Sequence, residues 1–149
     1  MNLASLTRED LVFLDLPLTD KEQIIKKLVD ALYENEILSS KEEFFQAVMD
    51  REKVSATGLE AGLAIPHGKS KAIKEAAFAV TRLQSPAVNW ESLNPDNQVK
   101  LVFLLAIPEA EAGSTHLTVL SELSKRLMDH DFVNQLMNAK TAKDFLAHL

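Results

Sequence analysis

Val99-Lys100-Leu101-Val102-Phe103-Leu104-Leu105-Ala106-Ile107 reads as the strongest strand in the chain, apolar on both faces apart from Lys100 and stopped by Pro108. A run that does not alternate polar with apolar residues suits a central strand covered on both sides. Downstream, 109–113 reads as a loop, and Ser114 or Thr115 can cap a third long helix that turns Leu117, Leu120, Leu123 and Leu127 inward. Asp129 can cap a fourth helix carrying Phe132, Val133, Leu136 and Met137. Thr141-Ala142-Lys143-Asp144 opens a short last one with Phe145, Leu146 and Leu149.

Upstream of the central strand, 90–97 is a polar, proline-containing connection. Residues 76–83, with Phe78 and Val80 among small side chains, suit a strand broken by Ser85-Pro86. Residues 63–65 suit a very short buried strand after a loop of small residues at 55–62. Ser40-Lys41-Glu42-Glu43 has capping-box spacing ahead of Phe44, Phe45, Val48 and Met49, predicting a helix that closes near 51–54. Thr19-Asp20-Lys21-Glu22 repeats the pattern before Ile24, Ile25, Leu28, Val29 and Leu32, predicting a helix that ends near Glu36. Leu11-Val12-Phe13-Leu14, ahead of Pro17, is the first strand. The order β-α-α-β-β-β-α-α-α predicts a three-layer α/β/α sandwich with a mixed central sheet, formed by residues 1–149 as one domain.

At 149 residues and 46% hydrophobic, the chain can bury a sizeable core without a staple. It has no cysteine, which excludes disulfides, thiolate zinc sites and thiol nucleophiles and fits a reducing compartment, the cytoplasm by default. A net charge of −6 and a pI near 5.2 argue against nucleic acid as the main partner, Lys69, Lys71 and Lys74 forming only a small basic patch. The N-terminus is neither basic nor followed by a long apolar region, so no signal peptide or membrane span is predicted. A start methionine and a helical end suggest a free-standing subunit.

Three of the four glycines fall in the stretch from Gly58 to Gly68, where Leu63-Ala64-Ile65 is stopped by Pro66 and followed by His67. Gly68 beside it would remove bulk where another molecule approaches the ring. A histidine with a pKa near 6.5 is largely neutral at pH 7 and offers a nitrogen lone pair with no separate base. A phosphoryl group on it would carry roughly two negative charges and need cationic or N–H partners. Arg51, at the end of the second helix, and His116, in the first turn of the third, are the candidates, together with that helix N-terminus. Ser55 and Thr57, in the 55–62 loop, could donate hydrogen bonds to such a phosphoryl group, although small polar residues in a loop are more often ordinary loop chemistry. His130 and His148 read as surface residues, and Trp90 and Phe103 as packing.

The run Gly-Leu-x-x-Gly-Leu-Ala-Ile-Pro-His-Gly at 58–68, preceded by Arg51-Glu52-Lys53-Val54-Ser55-Ala56-Thr57, resembles the phosphorylation signature of the fructose/mannitol class of enzyme IIA proteins of the bacterial sugar phosphotransferase system. The likeness spans essentially the whole chain. It implies a phosphocarrier in which His67 takes a phosphoryl group from the histidine-containing phosphocarrier protein HPr and passes it to enzyme IIB, which serves the membrane enzyme IIC. Arg51 and His116 match the residues that stabilise the phosphoryl group in the family, and no cofactor or metal is implied. Two protein partners predict an exposed, shallow site rimmed by apolar residues. Glu60 departs from the signature, which has a small residue there, and is expected to face solvent or a partner's arginine. Two other readings compete: a nitrogen-type regulatory relative whose phospho-state controls partner proteins, and a non-catalytic anion-binding domain of the same fold.

Overall fold

The computed structural model describes residues 2–111 and 115–149, with 111, 115 and 116 described by their backbone alone. In chain order the elements are β1 (Val12–Leu16), α1 (Lys21–Glu34), α2 (Lys41–Val54), β2 (Leu63–Ala64), β3 (His67–Ser70), β4 (Ala77–Leu83), β5 (Leu101–Pro108), α3 (Thr115–Leu127), α4 (His130–Asn138) and α5 (Ala142–Ala147), with short 3-10 turns at Leu3–Leu6, Glu9–Leu11 and Glu109–Glu111. The sheet runs β1-β4-β5-β2 and is mixed: β1 lies parallel to β4, β4 antiparallel to β5, and both β2 and β3 parallel to β5.

Strand β5 is buried along its whole length, as its two-sided apolar composition requires. Its alternate residues feed two different cores. Val102, Leu104 and Ala106 join Ile25, Leu28, Leu32, Phe44 and Val48 under α1 and α2. Leu101, Phe103, Leu105 and Ile107 join Val119, Leu123, Phe132, Leu136 and Phe145 under α3, α4 and α5. This is the three-layer sandwich, with helices on both faces of one sheet.

The helices start where side-chain oxygens meet their first free amides. Ser40 Oγ accepts from Glu43 N at 3.2 Å and Thr141 Oγ1 from Asp144 N at 3.0 Å. Asp129 accepts from Asp131 N and Phe132 N. For α1 the cap is Asp20, whose carboxylate accepts from Gln23 N at 3.0 Å, one residue later than the Thr19 spacing suggested. The helix ends at Glu34 rather than Glu36. The expected cap of α3, at Ser114 or Thr115, lies outside the described residues and side chains.

One strand was not foreseen. His67–Ser70 pairs with β5 as β3, giving five strands among the described residues where the sequence suggested four. Leu63 lies opposite Leu101 and His67 opposite Leu105, so β2 and β3 keep a single register along the same side of β5. Pro66 divides them because it has no N–H to give to the ladder, while its carbonyl still accepts from Leu105 N at 3.0 Å. His67-Gly68-Lys69-Ser70 has no apolar run, so only its neighbour β5 makes it a strand.

Candidate functional site

His67 is the first residue of β3 and is only 8% exposed. The expectation of an exposed histidine just past a strand end is therefore corrected. The ring folds back on its own backbone, with Nδ1 2.9 Å from the Ile65 carbonyl oxygen. A carbonyl can only accept, so in the neutral ring Nδ1 carries the hydrogen and Nε2 carries the lone pair. Ile65 is held from the other end of its peptide unit, its N–H donating to the Thr57 carbonyl at 3.1 Å.

Gly68 serves packing rather than access. A Cβ there would lie 3.1 Å from Val48 Cγ2, 3.2 Å from Val48 N and 3.3 Å from Phe44 Cε1. The missing side chain lets β3 lie close against α2, and the idea that it clears a path to the ring is overturned. Gly58 likewise allows a close approach, since a Cβ would come 2.7 Å from the Glu91 carbonyl oxygen.

The pKa of His67 lies below the usual histidine value, chiefly because burial disfavours the imidazolium. The hydrogen bond to Ile65 opposes this, the charge of Arg51 adds to it, Glu52 opposes it, and Lys69 adds a smaller lowering. The ring is thus neutral at physiological pH and lies in the field of two cations and one carboxylate. That combination suits a nitrogen nucleophile approached by an anion.

Arg51 sits in the last turn of α2, its Nη1 donating to the Ser55 carbonyl at 3.0 Å and to Ser55 Oγ at 3.3 Å. The charge of Arg51 reaches His67, where it lowers the ring's pKa. The backbone of His116 lies in the first turn of α3, but its side chain is outside those described. Glu60 is exposed, as expected.

Thr57 is not a donor to an approaching anion. Its side chain is buried and its hydroxyl donates to Glu52. Glu52 was overlooked in the sequence, although it follows Phe44 and Val48 at four-residue spacing on the inward face of α2. A carboxylate in such a place needs partners, and it has them: Thr57 Oγ1, and Lys21 Nζ at 2.6 Å. Lys21 also lies 5.4 Å from the centre of the buried Trp90 ring, and Trp90 and Phe103 are packing residues, as expected. His130 is exposed and His148 half-buried, its Nε2 3.6 Å from Asp144. Among the described residues no cluster of His, Asp or Glu could hold a metal ion, and no helix is long and apolar enough to cross a membrane.

Comparison with known proteins bears on the family and the fold. Residues 5–149 match the family described as phosphoenolpyruvate-dependent sugar phosphotransferase system, EIIA 2. The chain is 42% identical over all 149 residues to part of the 2-O-alpha-mannosyl-D-glycerate-specific EIIABC component of Escherichia coli (strain K12), of whose length it spans 22%. Its fold matches the nitrogen regulatory protein IIA-Ntr from Neisseria meningitidis with a TM-score of 0.87 and 30% identity, covering 97% of each chain. It also matches enzyme IIA for mannitol in its complex with phosphorylated enzyme IIB from Escherichia coli, with a TM-score of 0.79 and 22% identity, covering 96% of this chain and 97% of that one. The chain belongs to the EIIA 2 family of the phosphoenolpyruvate-dependent sugar phosphotransferase system.

Proposed function

We propose that this protein is a cytoplasmic phosphocarrier in which His67 accepts a phosphoryl group from the phosphohistidine of HPr and hands it to an enzyme IIB. The observation that carries this reading is the His67 ring itself, neutral by burial and hydrogen-bonded through Nδ1 to the Ile65 carbonyl. In the transfer, the Nε2 lone pair forms a new N–P bond as the donor's N–P bond breaks. The donor imidazole keeps the electron pair it regains, and no nucleotide or metal takes part. In passage to enzyme IIB the acceptor's nucleophile bonds to phosphorus as the His67 N–P bond breaks, and Nε2 regains its electron pair.

Arg51 stabilises the transferred group as a permanent cation, and His116 does so by donating a ring N–H. Residues 1–149 act as one enzyme IIA domain and reach the membrane enzyme IIC only through enzyme IIB. A regulatory reading is favoured by the likeness to IIA-Ntr, in which case the phospho-state itself would control a partner protein.

A mixture with phosphoenolpyruvate, enzyme I and HPr, followed by a panel of enzyme IIB domains, separates the two. The panel begins with the mannosylglycerate-type domain, because that relative is 42% identical. Discharge of the label by an enzyme IIB supports the carrier. Labelling that no enzyme IIB discharges supports the regulator. His116→Ala is expected to accept the label but to pass it on about a hundredfold more slowly, the lower end of the usual cost of removing one stabilising donor. Unchanged onward transfer would remove its role.

A further inference from the structure

We propose that Glu52 is a positioning residue for His67: with Lys21 and Thr57 it clamps the segment that holds Ile65, and the Ile65 carbonyl then keeps the ring in the tautomer with its lone pair on Nε2. The chain of contacts is continuous. Lys21 Nζ, on α1, meets the Glu52 carboxylate at 2.6 Å, and the Thr57 hydroxyl donates to the same carboxylate. The Thr57 carbonyl accepts from Ile65 N at 3.1 Å, and the Ile65 carbonyl lies 2.9 Å from His67 Nδ1.

The sheet does not fix Ile65 by itself. Along β5 the next bond uses the Pro66 carbonyl, and Pro66 has no N–H to return. The peptide groups of Ile65 turn instead to Thr57 and to the imidazole. Thr57 lies in a short segment between α2 and β2, and its side chain is tied to α2 through Glu52. Arg51 is the preceding residue of that helix, so one helix end both presents a cation and sets the ring.

A purely structural role would not ask for charge at this place. The Glu52 side chain is 3% exposed and that of Lys21 13%. Desolvating such a pair costs about as much as the pair returns, and apolar residues of similar volume often stabilise as well or better. What the ions and the hydroxyl add is direction.

The inference rests on the phosphocarrier reading for what the Nε2 lone pair is used for, but its central test does not. Long-range proton–nitrogen spectra of the imidazole report the tautomer directly. In the unmodified protein the ring is expected to be protonated on Nδ1, and dominant protonation on Nε2 would overturn the proposal whatever the variants do. Thr57→Val, which keeps the shape and loses the hydroxyl, and Glu52→Gln are each expected to give a mixture of tautomers, whereas Thr57→Ser keeps the single one. Either of the first two, folded by its amide spectrum yet holding the unmodified tautomer, refutes the clamp.

In transfer from HPr, the same two variants should lose about tenfold in kcat with KM for the donor unchanged, a modest share of what misplacement of a reacting group can cost. A loss confined to KM would count against positioning. Failure of the phosphocarrier reading looks different, because the unmodified protein would then take no label while the tautomers still changed as described.

Discussion

His67 couples its chemistry to folding. Its folded pKa lies below the ordinary value, so between that lowered value and about 6.5 the unfolded chain holds more protons than the folded one. Stability therefore rises with pH through this window and is lost on acidification. Urea midpoints of the unmodified protein should fall more steeply from about pH 7 to about pH 5 than those of His67→Ala, the other groups being common to both. Equal slopes would contradict the buried neutral ring. Gly68→Ala forces a Cβ against Val48 and Phe44 and should cost about 1–3 kcal/mol by urea denaturation, a cost for overpacking that a merely access-giving glycine would not show. At this scale His67 was singled out by the whole signature at 58–68 and its family resemblance, because a lone histidine after a strand end is more often an ordinary turn residue. The sequence hid the burial of His67 and the packing role of Gly68, which come with α2 lying against β3, and the partners of Glu52, which come from α1 and from the segment after α2.

Among the elements, those with an apolar pattern of their own were legible, down to the short β2 and α5, whereas β3 was not. Helix α2 announced itself by Ser40 and the spacing of Phe44 and Val48, and it ends at Val54, within the range foreseen. Strand β3 is made by register with β5 and by nothing in its own four residues. Arg82 is a similar case, a buried cation next to the end of the otherwise largely apolar β4. Its Nη1 donates to the carbonyls of Leu136 at 3.1 Å, Met137 at 3.0 Å and Ala139 at 2.7 Å, closing the C-terminal end of α4 against β4. Its ion pair with the exposed Asp15, at 3.4 Å, adds little. Arg82→Met should destabilise the fold by about 2–3 kcal/mol, since buried carbonyls lose a charged donor. A midpoint unchanged in urea would mean that water replaces the guanidinium at no cost.

Over the whole molecule, the two-sided burial of β5 decides the architecture, and two cores lock the sheet between helix pairs and their neighbours. The mixed sheet places β2 and β3 together on one side of β5, so that the loop after α2 and the start of β3 meet at His67. Arg51, Glu52 and Thr57 are near neighbours in the chain, and the fold delivers them to a histidine about a dozen residues later. On the proposed function, this histidine carries the phosphoryl group. The most direct measurement is to incubate the unmodified protein and His67→Ala with phosphoenolpyruvate, enzyme I and HPr, and to locate the acid-labile phosphate by nitrogen–phosphorus coupling in the imidazole spectrum. A single phosphoryl group is expected on His67 Nε2 and none in His67→Ala; normal labelling of His67→Ala would place the phosphoryl group on another residue and overturn the assignment.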